Sequence, residues 1–119
     1  MQETLRGGVE LVTSFGFPSE KFETLTLPAS GQSYTAPADG WLCLGKNSGT
    51  AGQYMAFVIK DHTNTVELYR EFVTSMGTGT YEALTACVSK GMVVVITYNM
   101  SGATQYFKFI YAKGCEPQS

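Results

Sequence analysis

The stretch Tyr34-Thr35-Ala36-Pro37-Ala38-Asp39-Gly40-Trp41-Leu42-Cys43-Leu44 decides the fold. It reads as the end of one strand, a Pro-x-Asp-Gly turn and the start of a second strand that carries the only tryptophan. Pro37 presets φ at the first turn position, and Gly40 is expected to adopt backbone angles that a side chain forbids. Outward from this turn the hydrophobic period is two in both directions. Upstream, Phe22 to Leu27 alternates imperfectly, Pro28-Ala29-Ser30-Gly31 turns, and Gln32 to Thr35 is a short strand. Downstream, strands are expected at 41–46, 53–60, 66–73, 81–88, 92–98 and 104–111, separated by segments rich in Gly, Ser, Thr and Asn. About eight short strands and no significant helix predict an all-β chain folded as an antiparallel, jelly-roll-like β-sandwich.

The totals agree with one such domain. The chain has 119 residues, of which 44% are hydrophobic and 15% charged; a disordered chain has the opposite balance. Residues 1–20 have weak helical spacing broken by Gly7-Gly8 and Pro18, and are expected to be a connecting arm. The sandwich is expected over 21–114 and a C-terminal tail over 115–119. Eight basic residues against ten acidic ones, with no basic run, argue against a nucleic-acid partner. No apolar run approaches the roughly 18 residues of a membrane span, and no basic-then-apolar leader opens the chain. Cys43, Cys87 and Cys115 are odd in number and widely spaced, which is no disulfide framework and fits synthesis in a reducing cytoplasm. Cys43 and Cys87 are expected to be buried, and Cys115 a free thiol.

A sandwich strand normally buries one face and wets the other. Met55 to Ile59 and Met92 to Ile96 are apolar on both. Loops could cover the second face, or another copy of the chain could. Because two strands share the feature, the second explanation is favoured, with Met55, Phe57, Ile59, Met92, Val94 and Ile96 as the expected contact residues.

Connections in an antiparallel sandwich alternate between its ends. Those at 28–32, 47–52, 74–79 and 99–102 then share one end, and the short turns share the other with the arm and tail. The first group is long and polar, the kind of loop on which binding residues concentrate. Its candidates are Asn47, Ser48, Thr50, Gln53, Thr74, Ser75, Thr78, Asn99 and Ser101.

Catalytic chemistry is not expected. His62, the only histidine, falls in a turn between Asp61 and Asn64, with no Gly-x-Ser-x-Gly elbow. One histidine and scattered cysteines give no metal spacing, and no cofactor motif is present. Met76-Gly77-Thr78-Gly79-Thr80 lacks the lysine of a phosphate loop. Glu67, Glu71 and Glu82 read as surface carboxylates. Asn99-Met100-Ser101 matches a glycosylation acceptor but no secretory leader accompanies it. Tyr54, Tyr69 and Tyr106 could serve as flat platforms for sugars, with core or interface packing as the competing role.

The segments Phe17-Pro18-Ser19-Glu20-Lys21-Phe22-Glu23-Thr24-Leu25-Thr26-Leu27 and Ser33-Tyr34-Thr35-Ala36-Pro37-Ala38-Asp39-Gly40-Trp41 resemble the distal domains of phage and prophage tail fibres, as does the ending Tyr106 to Glu116. The Tyr-Thr-Ala-Pro-x-x-Gly turn is also similar to that of the trimeric complement and tumour-necrosis-factor jelly rolls. Those families put an aromatic two residues after the glycine, where this chain has Leu42; its aromatic is Trp41. The resemblance implies a virion protein of a tailed bacterial virus. It implies a homotrimeric fibre tip that binds a host surface polysaccharide or protein, joined to other tail proteins through residues 1–20. The alternatives are a purely structural virion protein, for trimerisation or decoration, and a non-viral carbohydrate-binding module.

Overall fold

A computed structural model describes residues 16–117. Eight strands alternate along the chain: β1 (Pro18–Thr24), β2 (Gln32–Thr35), β3 (Gly40–Asn47), β4 (Tyr54–Lys60), β5 (Glu67–Thr74), β6 (Tyr81–Val88), β7 (Val93–Tyr98) and β8 (Thr104–Ala112). They form two four-stranded antiparallel sheets, β1-β8-β3-β6 and β2-β7-β4-β5. These orders are those of a jelly roll. β1 begins at Pro18, so the last part of the expected arm is strand, paired with β8; the rest of that arm, residues 1–15, lies outside the described residues. Among the described residues no helix is long and apolar enough to cross a membrane.

The core lies between the sheets. Leu42 and Leu44 of β3, Phe107 and Phe109 of β8, and Leu84, Ala86 and Val88 of β6 face it from one side. Met55, Phe57 and Ile59 of β4 and Val94 and Ile96 of β7 face it from the other. Tyr34 closes one flank, its ring 6.1 Å from that of Phe109. Burial, with Glu23 and Tyr111 adding to it, pushes its hydroxyl pKa up to about 12.

This arrangement corrects the expected contact residues. Met55, Phe57, Ile59, Val94 and Ile96 are fully buried within the single chain, and Met92 packs half-buried against the same core. The five fully buried residues are not free to meet another copy. A strand that is apolar at every position carries no sign of which parity faces inward, and the inward parity is the one these residues hold. The outer parity belongs to Ala56, Val58, Val93 and Val95.

The backbone at Gly40 and the placement of Cys87 differ from expectation. The segment 36–40 does not join paired strands. It carries the chain from one sheet to the other, since β2 pairs with β7 while β3 pairs with β6 and β8. Gly40 is not among the positive-φ residues. Its need is for space: a Cβ there would fall inside van der Waals contact of the Ile110 carbonyl oxygen and 2.7 Å from the Phe109 ring. Cys87 is exposed, because β6 alternates cleanly and position 87 points out. Cys43 is buried, and that burial raises its thiol pKa against opposing pulls from Thr85 and Lys108.

Candidate functional site

The loops after β1, β3, β5 and β7 meet at one end of the sandwich. Ser48, directly after β3, reaches the 75–80 loop: its hydroxyl donates to Gly77 O (2.7 Å) and accepts from Thr80 N (3.1 Å). Ser75 returns the link by donating to Thr50 O (3.0 Å). Backbone bonds Gly52 N to Ser75 O and Ser75 N to Gln53 O complete this seam. The carboxamide oxygen of Gln53 then accepts from Gly49 N (2.6 Å) and Ser101 N (3.1 Å), tying the 48–53 loop to the 99–103 loop. Asn99 caps the start of β4 by accepting from Tyr54 N (2.7 Å). At the flank, Ser30 accepts from Tyr98 N and the Tyr98 hydroxyl donates to Pro28 O (2.8 Å).

The polar residues singled out in the sequence therefore divide by what they touch. Ser48 and Ser75 are buried and spend their hydroxyls inside the loop cluster. Asn47 and Gln53 are half-buried bridges. Thr50, Thr74, Thr78, Asn99 and Ser101 are exposed, Asn99 and Ser101 with one side already engaged. Sequence reading missed Met76, which is 88% exposed at the tip of the 75–80 loop. An apolar residue alone in a Ser-Gly-Thr loop, with no strand partner to hide it, was the available signal. The result is a polar surface held rigid from below, with one large apolar side chain standing on it.

The opposite end holds the start of β1 and the end of β8. Lys113 N bonds Phe17 O, Ala112 N bonds Asp39 O, and the Asp39 carboxylate accepts from Lys90 N (2.8 Å). A cleft of about 340 Å³ opens there between Gly16, Trp41, Cys87 and Met92. His62 sits exposed in the 61–66 turn at this end, its Cβ near Gly91.

The three tyrosines with platform geometry also part ways. Tyr69 packs against the core, and its hydroxyl donates to Cys87 O, pinning β5 to β6. Tyr54 stacks on Phe72 on the outer face of its sheet, with ring centroids 5.8 Å apart. Tyr106 lies on the outer face of the other sheet. Comparison with models of protein families, with curated proteins and with solved structures returns no match.

Proposed function

We propose that this chain is the tip domain of a tail fibre of a bacterial virus or prophage, binding a host cell surface as a homotrimer through its distal loops. The observation that carries the reading is the loop cluster. Four connections converge on one end; side-chain hydrogen bonds fix three of them to one another and tie the first to Tyr98 of β7. Rigid presentation of Thr50, Met76, Thr78 and Ser101 lowers the ordering cost of binding. β1 starts and β8 ends at the far end of the sandwich, opposite the loop cluster. Repetition in a trimer would turn weak single contacts into avidity.

The self-contact is assigned to the outer face of the β2-β7-β4-β5 sheet. Leu68 (48% exposed) and Phe72 (59% exposed) stand on it, with Tyr54 stacked on Phe72 and Val58 and Val95 beside them. The exposed apolar side chains flank Arg70, which lies opposite Val58 and is paired with Glu67, and apolar exposure of this kind favours association.

The test uses the purified protein, fluorescently labelled, on a panel of bacterial strains. A combined Thr50→Ala, Met76→Ala, Thr78→Ala variant is expected to lose cell binding while its melting temperature and solution mass stay unchanged. Cell binding by that variant equal to wild type, or no binding of wild type to any strain, would remove the assignment.

A further inference from the structure

A second feature lies outside the loop cluster, on the outer face of the β1-β8-β3-β6 sheet near its distal edge. β8 carries a bulge where it pairs with β3: Gly45 faces Tyr106 and Lys46 faces Thr104, which leaves Gln105 as the extra residue. Successive strand residues ordinarily point to opposite faces. The bulge suspends that rule, so Gln105 and Tyr106 share one face. The Gln105 amide donates to Asn47 Oδ1 (2.7 Å). The Tyr106 ring lies over Gly45, where a Cβ would come within 2.5 Å of the ring and 2.9 Å of the Tyr81 hydroxyl. Asn47, Tyr81 and Gln105 line an open depression of about 230 Å³.

We infer that this depression is a binding subsite for one pyranose ring of a glycan. Its parts match that ligand class. Tyr81, 54% exposed, offers a flat apolar surface for the C–H face of a sugar. Asn47 and Gln105 supply both donors and acceptors, the combination that sugar hydroxyls require. The Gln105 carbonyl oxygen and one N–H of each amide have no protein partner among the described residues. The groups are preset: Asn47 Nδ2 donates to Gly79 O (3.2 Å), and the Lys108 ammonium lies 5.0 Å from the Tyr106 ring centroid. Burial, with Tyr81 adding to it, pushes the Tyr106 phenol pKa up to about 12. The small volume suits a single ring more than an extended apolar ligand.

Covering a strand glycine with aromatic rings is also a purely structural device. It accounts for Tyr106. It accounts neither for the bulge that turns Gln105 onto this face nor for amide groups left open beside an exposed ring.

The subsite stands independently of the fibre-tip assignment, and the experiment keeps the two apart. The isotopically labelled protein is titrated by two-dimensional NMR with methyl glycosides of glucose, galactose, rhamnose, N-acetylglucosamine and N-acetylgalactosamine. Saturable shifts are expected at the amides of Asn47, Tyr81 and Gln105 for at least one sugar. Tyr81→Ala and Gln105→Ala should each weaken that sugar about tenfold. Should Tyr81→Ala fail to fold, Gln105→Ala, a change to an exposed side chain, decides the matter. Absence of shifts with every sugar, shifts confined to the 48–53 and 75–80 loops, or unchanged affinity in the variants would overturn the subsite. The strain-binding result for the loop variant would stand in each case.

Discussion

The ammonium of Lys46 lies 5.4 Å from the centroid of the Tyr98 ring, inside the distal end of the sandwich. The same ammonium donates to Gly102 O (2.9 Å) and Thr104 Oγ1 (3.1 Å). Tyr98 in turn holds Pro28 O. One buried cation thus connects the loop after β7 to the loop after β1, and the polar platform rests on it.

Lys46→Ala should therefore lower stability by about 2–3 kcal/mol, since it leaves the Gly102 carbonyl unpaired and opens a cavity. Lys46→Met, which keeps the stem and removes the charge, should recover part of that loss. Denaturant unfolding of the three proteins measures both steps. Equal stability of Lys46→Ala and wild type would mean that the cation is not a tie between loops.

Gly40→Ala should cost about 3 kcal/mol, because the Ile110 carbonyl is backbone and cannot step aside. Gly77→Ala is the control: a Cβ there meets only the Thr80 methyl, at 3.3 Å, and the Gly77 φ is not positive. Thermal melts should separate the two variants clearly. A mild effect at Gly40 would show that β3 and β8 can move apart.

Strand positions were legible because the turn residues punctuate a period-two pattern, and each expected strand overlaps an observed one. Facing was legible where the pattern was impure, as in β8, whose Phe107, Phe109 and Tyr111 all turn inward. It was illegible in Met55 to Ile59, where both parities are apolar and only packing against the second sheet selects one. In β5 the reverse holds: Leu68 and Phe72 look like core residues in sequence but point outward, while Tyr69 and Val73 pack inward. The loop residues show the same limit. Ser48 and Thr50 are chemically alike and two positions apart. What separates them is Gly77 O, supplied by a loop nearly thirty residues away. The bulge at Gln105 depends on the register of β3 and is likewise invisible in the local sequence.

Ser48 and Thr50 should accordingly respond in opposite ways. Ser48→Ala removes a buried donor and acceptor from Gly77 O and Thr80 N, and should destabilise by about 1–2 kcal/mol. Thr50→Ala should stay within about 0.5 kcal/mol of wild type, as exposed substitutions do. Paired unfolding curves check this. Similar losses at both sites would place Thr50 inside the seam as well.

Asp61 gives the chain a pH signature. Its carboxylate accepts from Val66 N, Thr65 N and the Thr63 hydroxyl. Chiefly the Val66 and then the Thr65 backbone bond, outweighing partial desolvation, lower its pKa from 3.8 to about 2. A depressed folded-state pKa adds stability that is present above the unfolded value and is lost as pH falls through the folded one. Wild type should lose that contribution between about pH 4 and pH 2. Asp61→Asn cannot ionise, so its melting temperature should fall less steeply across that window. Parallel slopes for the two proteins would assign the acid sensitivity to other carboxylates.

Phe72→Lys tests the outer apolar face without touching the core. Phe72 is opposite Ala56 on β4 and stacked on Tyr54, 59% exposed in the single chain. If this face joins copies, three lysines brought to one interface repel and lose hydration, so light scattering should report a monomer. Circular dichroism should be unchanged, because neither inward neighbour of Phe72, Glu71 or Val73, is altered. A companion change on the other sheet, Phe22→Lys, also exposed, should leave the mass of the assembly as it was. A wild-type chain that is monomeric at every concentration, or a Phe72→Lys variant that keeps the wild-type mass, would take the self-contact away from this sheet.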